Sequence, residues 1–226
     1  FPLRSKRMPL QSLTHWQRLN PEKIQKSRNK KRMTNLSSFP YYALCIMNCE
    51  LKKRTALVLE GGAMRGMYTA AVLDVLMDEG IKVDAIYATS AGVLFGVNYL
   101  SGQRGRAIRY NKRFSRDKRY MGIHSLITSG NIINKDFAFY EVPFTLDVFD
   151  QEAYSRSETK MIATVTNVHT GGVEYIEVKD VFKQMEVLRA ASAMPFVSQM
   201  VELNGQFYLD GGLSDSIPLK KCQEKS

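Results

Sequence analysis

Two runs of strand-forming residues, Thr55-Ala56-Leu57-Val58-Leu59 and Val83-Asp84-Ala85-Ile86-Tyr87-Ala88, each lead through a loop of small residues into a helical pattern. No other feature constrains the fold as tightly. A continuous apolar run of this length reads as a strand covered on both faces. Between the two runs, Met67 to Glu79 carries apolar residues at helical spacing (Ala71, Val72, Val75, Leu76), and Gly80 stops the helix. After the second run, Ala91 to Leu100 reads as the next helix. Strand, helix, strand, helix at this spacing predicts an α/β fold with parallel strands joined by helical crossovers.

Farther along, Arg104 to Arg116 reads as a basic-faced helix, and Met161 to Val165 as a strand. Val173 to Val178 alternates as another strand, reached through the turn His169-Thr170-Gly171-Gly172. Val181 to Ala191 reads as a helix that ends before Pro195. Phe207-Tyr208-Leu209-Asp210 reads as a short strand running into Gly211-Gly212. The sequence contains no internal repeat.

The formal charge of +10 points at first to an anionic partner, but its distribution argues otherwise. Residues 1–54 hold thirteen of the 32 basic residues and only two of the 22 acidic ones, Glu22 and Glu50. The remainder is close to neutral. Residues 1–53 therefore read as a basic extension without a fold of its own, and 54–226 as the catalytic-type domain. A membrane-surface or nucleic-acid arm is the other reading of the extension; nucleic acid is not the expected partner. The chain begins at Phe1, so a fragment or an upstream-extended reading frame is expected, with Met33 or Met47 as internal starts. The domain is expected to be incomplete at its C-terminal end. The apolar stretch from Phe39 to Met47 is too short to span a bilayer and contains Pro40. Cys45, Cys49 and Cys222 form no CxxC pair and no metal pattern, which fits a reducing, cytoplasmic setting.

Three local features bear chemistry. Gly61-Gly62-Ala63-Met64-Arg65-Gly66 lies between a strand and a helix, where glycines let backbone N–H groups turn outward and the helix end adds positive potential. Such a loop suits an oxyanion or a phosphate. It fails as a dinucleotide fingerprint, because Ala63 stands where the second glycine belongs, and it lacks the ending of a P-loop. Ala88-Thr89-Ser90-Ala91-Gly92 has the layout of a nucleophile elbow, with Ala88 where the usual pattern has glycine. A serine capping the helix at Ala91 would look the same. Asp210-Gly211-Gly212 places a carboxylate at a strand end, as an ordinary Asp-Gly turn also does. A nucleophilic serine needs a base. His15, His124 and His169 all precede Asp210, against the Ser, Asp, His order of α/β-hydrolases.

Taken together and in this order, the Gly-Gly-x-x-Arg-Gly loop, the Ser-x-Gly elbow and Asp-Gly-Gly resemble the patatin-like phospholipase family, and within it the small bacterial patatin-domain proteins. The resemblance runs from about Thr55 to Pro218 and includes Arg189-Ala190-Ala191-Ser192-Ala193-Met194-Pro195. It implies a three-layer α/β/α fold with a mainly parallel central sheet. It also implies a Ser–Asp dyad, with Ser90 as nucleophile and Asp210 as base, and an oxyanion hole from the N–H groups of Gly61, Gly62 and Ala63. Arg65 would order the loop or meet a head group, and Gly66, Gly92, Gly211 and Gly212 would support the motifs. Ala63 and Ala88 depart from the family pattern.

The resemblance implies a lipid or acyl-ester substrate, transient membrane-surface contact and no cofactor or metal; the sequence carries no signal for oligomeric state. A weakly active or inactive lipid-binding or regulatory protein of the same fold is the alternative. A Ser-His-Asp hydrolase dependent on His124 or His169 is a third. Met121, Ile123, Leu126, Ile127, Phe137 and Phe139 read as core or as an acyl groove. The basic run from Arg104 to Arg119 reads as a solvated face or a head-group site.

Overall fold

Among the residues described by the computed structural model, 44–49 and 54–225, seven strands form a single sheet. They are β1 (Leu44–Cys49), β2 (Arg54–Leu59), β3 (Ala85–Thr89), β4 (Lys160–Asn167), β5 (Val173–Glu177), β6 (Val201–Leu203) and β7 (Gln206–Asp210). Their order is β1-β2-β3-β4-β7-β6, with β5 also pairing β4. β2, β3 and β4 run parallel at the centre, and the pairings that flank them are antiparallel.

The helices are α1 (Met67–Asp78), α2 (Ala91–Leu100), α3 (Arg106–Phe114), α4 (Ile123–Ser129), α5 (Gln151–Arg156), α6 (Met185–Ala191) and α7 (Leu219–Lys225). A π-helical segment, Asp136–Leu146, lies between α4 and α5. Among the described residues no helix is long and apolar enough to cross a membrane.

The period of two along each central strand divides the core between the two faces of the sheet. Leu57, Leu59, Ile86, Ala88, Met161, Ala163 and Val165 join one cluster with residues of α1, α2 and α6. Their neighbours Ala56, Val58 and Tyr87 join a second cluster with Cys222 of α7. This is the three-layer arrangement, and it explains why the strands read as unbroken apolar runs.

The pairing along β4 decides where the site forms. β4 pairs β5 through Ile162–Thr166 on one edge. The other edge is shared: β3 runs parallel along it as far as Thr89 opposite Thr164, and β7 runs antiparallel along it and ends with Asp210 opposite Val165. The C-terminal ends of β3 and β7 therefore meet over two consecutive residues of β4.

Several expectations need correction. Leu44–Cys49, within the stretch read as the basic extension 1–53, pairs antiparallel with β2 along its whole length. The apolar residues Leu44 to Met47, too few to span a bilayer, belong to this edge strand. The rest of the extension, with His15 and Met33, lies outside the described residues. On α1 the buried face is Ala70, Leu73 and Leu76, while Ala71 and Val75 are exposed. Two apolar sets at helical spacing share Leu76, and only packing on the sheet chooses between them. The helix read from Val181 begins at Met185, because side chains of Gln184 and Gln151 take the backbone N–H groups of residues 179–182.

The basic run is not a uniformly solvated face. Arg106 is buried, donating to Asn98 Oδ1 at 2.7 Å and lying 3.3 Å from Asp147 Oδ1. Arg104 pairs with Asp78, Arg109 with Asp147, and Arg119 with Asp117.

Candidate active site

Ser90 sits between β3 and α2 with φ 53° and ψ −125°. A non-glycine residue in this region costs on the order of 1–3 kcal/mol, and such strain persists only where the surroundings hold it. Here α2 packs so close to the end of β2 that a Cβ on Gly92 would lie 2.8 Å from the Leu59 carbonyl oxygen. Ser90 makes no side-chain cap to α2. Its Oγ instead donates to Asp210 Oδ2 at 2.5 Å, and both residues are buried.

Asp210 is held at four points. Its Oδ1 accepts from the Gly212 N–H at 2.7 Å, its own N–H donates to Ala193 O, its carbonyl accepts from Thr166 Oγ1, and its Oδ2 accepts from Ser90. The next residue must be glycine: a Cβ on Gly211 would fall 2.3 Å from the Thr164 carbonyl oxygen. Burial pushes the Asp210 carboxyl above the usual carboxylate range, and the hydrogen bonds from Ser90 and Gly212 hold back part of that shift.

The glycine loop passes directly over the serine, since a Cβ on Gly61 would meet Ser90 Cβ at 2.8 Å. The expected trio of loop donors is not uniform. The Gly61 N–H donates to Ser216 O at 3.4 Å, whereas among the described residues Gly62 and Ala63 have no backbone acceptor for theirs. Ala63 adopts φ 46°, the left-handed region that favours glycine, and starts the short 3-10 turn Ala63–Gly66. Ala88, the other departure from the family pattern, is fully buried with φ outside that region, so alanine fits there without strain. Arg65 is exposed, and its N–H closes the loop onto Gly62 O at 2.9 Å. Gly66 is buried against Phe95.

A cavity of about 270 Å³ opens beside Ser90. Ala63, Met64, Leu94, Phe95, Met121 and Tyr120 are among the residues lining it, which makes its walls largely apolar. The six residues read as core or groove divide: Phe137 and Phe139 are core, Met121 lines the cavity, Leu126 is half-buried, and Ile123 and Ile127 are exposed. Leu94 and Tyr120 carry no sequence signal as cavity residues, because a residue lining a cavity has the same apolar pattern as one lining the core. His124 and His169 are both exposed, and neither is a partner of Ser90 or Asp210.

The model of the family described as patatin-like phospholipase matches residues 57–222. The uncharacterized protein YjjU of Escherichia coli strain K12 is 31% identical over 175 residues, covering 75% of this chain and 48% of that protein. Lysophospholipase NTE1 of Scheffersomyces stipitis is 25% identical over 230 aligned positions, covering 96% of this chain and 14% of that protein. The probable lipid hydrolase 463L of Invertebrate iridescent virus 6 is 26% identical over 184 residues, covering 72% of this chain and 61% of that protein. The chain thus spans less than two thirds of the length of each of these relatives. With the family model matching most of its length, the chain belongs to the patatin-like phospholipase family.

Proposed function

We propose that the chain is a serine acyl-ester hydrolase acting on lipids, of phospholipase A or lysophospholipase type, with Ser90 as nucleophile and Asp210 as its base. The observation that carries this reading is the 2.5 Å hydrogen bond from Ser90 Oγ to Asp210 Oδ2, made by a strained serine beside an apolar cavity. As Oγ attacks the acyl carbonyl carbon, Asp210 takes the serine proton. The N–H groups of Gly62 and Ala63 receive the developing oxyanion. Collapse of the tetrahedral adduct expels the alcohol, which leaves with the proton from Asp210. Asp210 then deprotonates a water that attacks the acyl-serine, and the fatty acid departs as Ser90 regains its proton.

The acyl chain occupies the cavity of about 270 Å³, whose walls offer it apolar cover. Met64 lines the cavity, Ile123 and Phe196 lie within two positions of lining residues, and Ile127 follows Ile123 by one turn of α4; all four are exposed. They fit a substrate drawn from a lipid surface, with the protein peripheral to it.

The test combines Ser90→Ala and Asp210→Ala with fluorophosphonate labelling. The unmodified protein should label at Ser90 and cleave short acyl esters. Each variant should lose at least about a thousandfold in kcat/KM, the scale on which nucleophile and base act as a unit. Full activity in either variant would overturn the dyad. An unlabelled Ser90 would favour the lipid-binding alternative.

A further inference from the structure

We propose that Leu94, Tyr110, Tyr120 and Ile133 form a partition that sets the longest acyl chain the site accepts, an inference that rests on the hydrolase reading above. A second cavity, of about 70 Å³, adjoins the one beside Ser90. These four residues line both. Beyond them the second cavity is walled mainly by apolar side chains, including Val97, Ala138 and Val142. The two spaces thus meet at these four residues, and the one charged side chain in the second lining, Arg106, is engaged by Asn98 and Asp147.

The partition has a rigid part and a yielding part. Tyr120 is locked: its Oη donates to Asn111 Oδ1 at 2.9 Å, and its ring packs edge-on against Phe137 at 6.3 Å. Asn111 is in turn tied to Ala107 O. Tyr110 carries the Arg106 guanidinium 5.3 Å from its ring centroid. Leu94 has no such anchor. It lies one turn of α2 beyond Ser90, so an acyl chain bound at the serine meets it early. The first cavity has room for about nine methylenes if each fills a volume close to a water's share of the liquid, about 30 Å³. Opening the partition adds the second cavity and the volume removed from the side chain.

The experiment compares the unmodified protein with Leu94→Ala, Ile133→Ala, and Leu94→Ala combined with Ala138→Leu, which refills the second cavity. Two series are read on each. One is kcat/KM on p-nitrophenyl esters from butyrate to palmitate. The other is affinity for free fatty acids of the same lengths, measured by displacement of a fluorescent dye. Thermal melting checks that each variant is folded.

In the unmodified protein both series should climb about fourfold per methylene and then level off near decanoate. In Leu94→Ala and in Ile133→Ala the climb should continue for about two further methylenes, the share the second cavity of about 70 Å³ can hold, and so raise the myristate-to-butyrate ratio by at least about tenfold; Ala138→Leu should restore the plateau. Ratios within one variant cancel any uniform loss of activity. Ester cleavage with an unshifted profile in both opened variants overturns the partition and leaves the hydrolase reading intact. A shifted binding profile without any cleavage overturns the hydrolase reading and keeps the partition. Unshifted binding with no cleavage overturns both.

Discussion

Ser90 and Asp210 are 120 positions apart in the chain, yet Ser90 Oγ lies 2.5 Å from Asp210 Oδ2. The contact follows from β4. β3 ends opposite Thr164 and β7 ends opposite Val165, on the same edge, so the residue after Thr89 meets the last residue of β7.

The raised Asp210 carboxyl gives this contact a pH signature. A carboxyl whose pKa is higher folded than unfolded binds more protons in the native state across the interval between the two values. Its contribution to stability is full below the unfolded value of about 3.8 and is lost as pH rises through the folded one. Asp210→Asn should therefore flatten the fall in stability just above the ordinary carboxylate range and be the more stable protein at neutral pH. Urea denaturation at a series of pH values reads this directly. The acid limb of kcat/KM should also lie above the range of an ordinary aspartate; a limb below it would contradict the burial effect.

The two alanines that depart from the family pattern should behave oppositely. Ala63 has φ 46°, so Ala63→Gly should stabilise by about 1 kcal/mol through relief of left-handed strain. Ala88 is fully buried in β3 with an ordinary backbone, so Ala88→Gly should destabilise by about 1 kcal/mol. Chemical denaturation of the two variants checks both signs, and equal signs would refute the distinction.

Arg106 is buried beside Asp147. Removing the carboxylate with Asp147→Ala strands that charge as well as the Arg109 pair, and should cost about 3–5 kcal/mol. A loss under about 1 kcal/mol in an equilibrium melt would mean that water reaches the guanidinium.

Ile123 and Ile127 are one helical turn apart on α4, and Phe196 is fully exposed. The segment that follows Phe196 hydrogen-bonds to the residues just after α4, through Ile132 N to Val197 O and Gln199 N to Asn131 Oδ1. Burying one large apolar side chain is worth about 1.5–3 kcal/mol, so replacing all three by serine should weaken vesicle binding at least tenfold even if they insert only in part. Cosedimentation with phosphatidylcholine vesicles measures it, and undiminished binding would remove these residues from the lipid-facing surface.

The local elements were legible because local rules set them. Unbroken apolar runs marked β2 and β3, small residues marked the turn at Ser90, and Asp-Gly-Gly marked the end of β7. Motif order was enough to nominate Ser90 and Asp210 as a pair. What the sequence could not express depends on contacts between distant segments. The buried face of α1 was one of two sets at the same spacing, and the edge strand Leu44–Cys49 is defined by its pairing with β2. The shared edge of β4, the pairing of Arg106 with Asp147, and the cavity between α2, α3 and the segment around Met121 exist only once strands and helices pack. Hydrophobic pattern records whether a side chain avoids water, not whether it borders another side chain or an open cavity, and tertiary packing alone decides that.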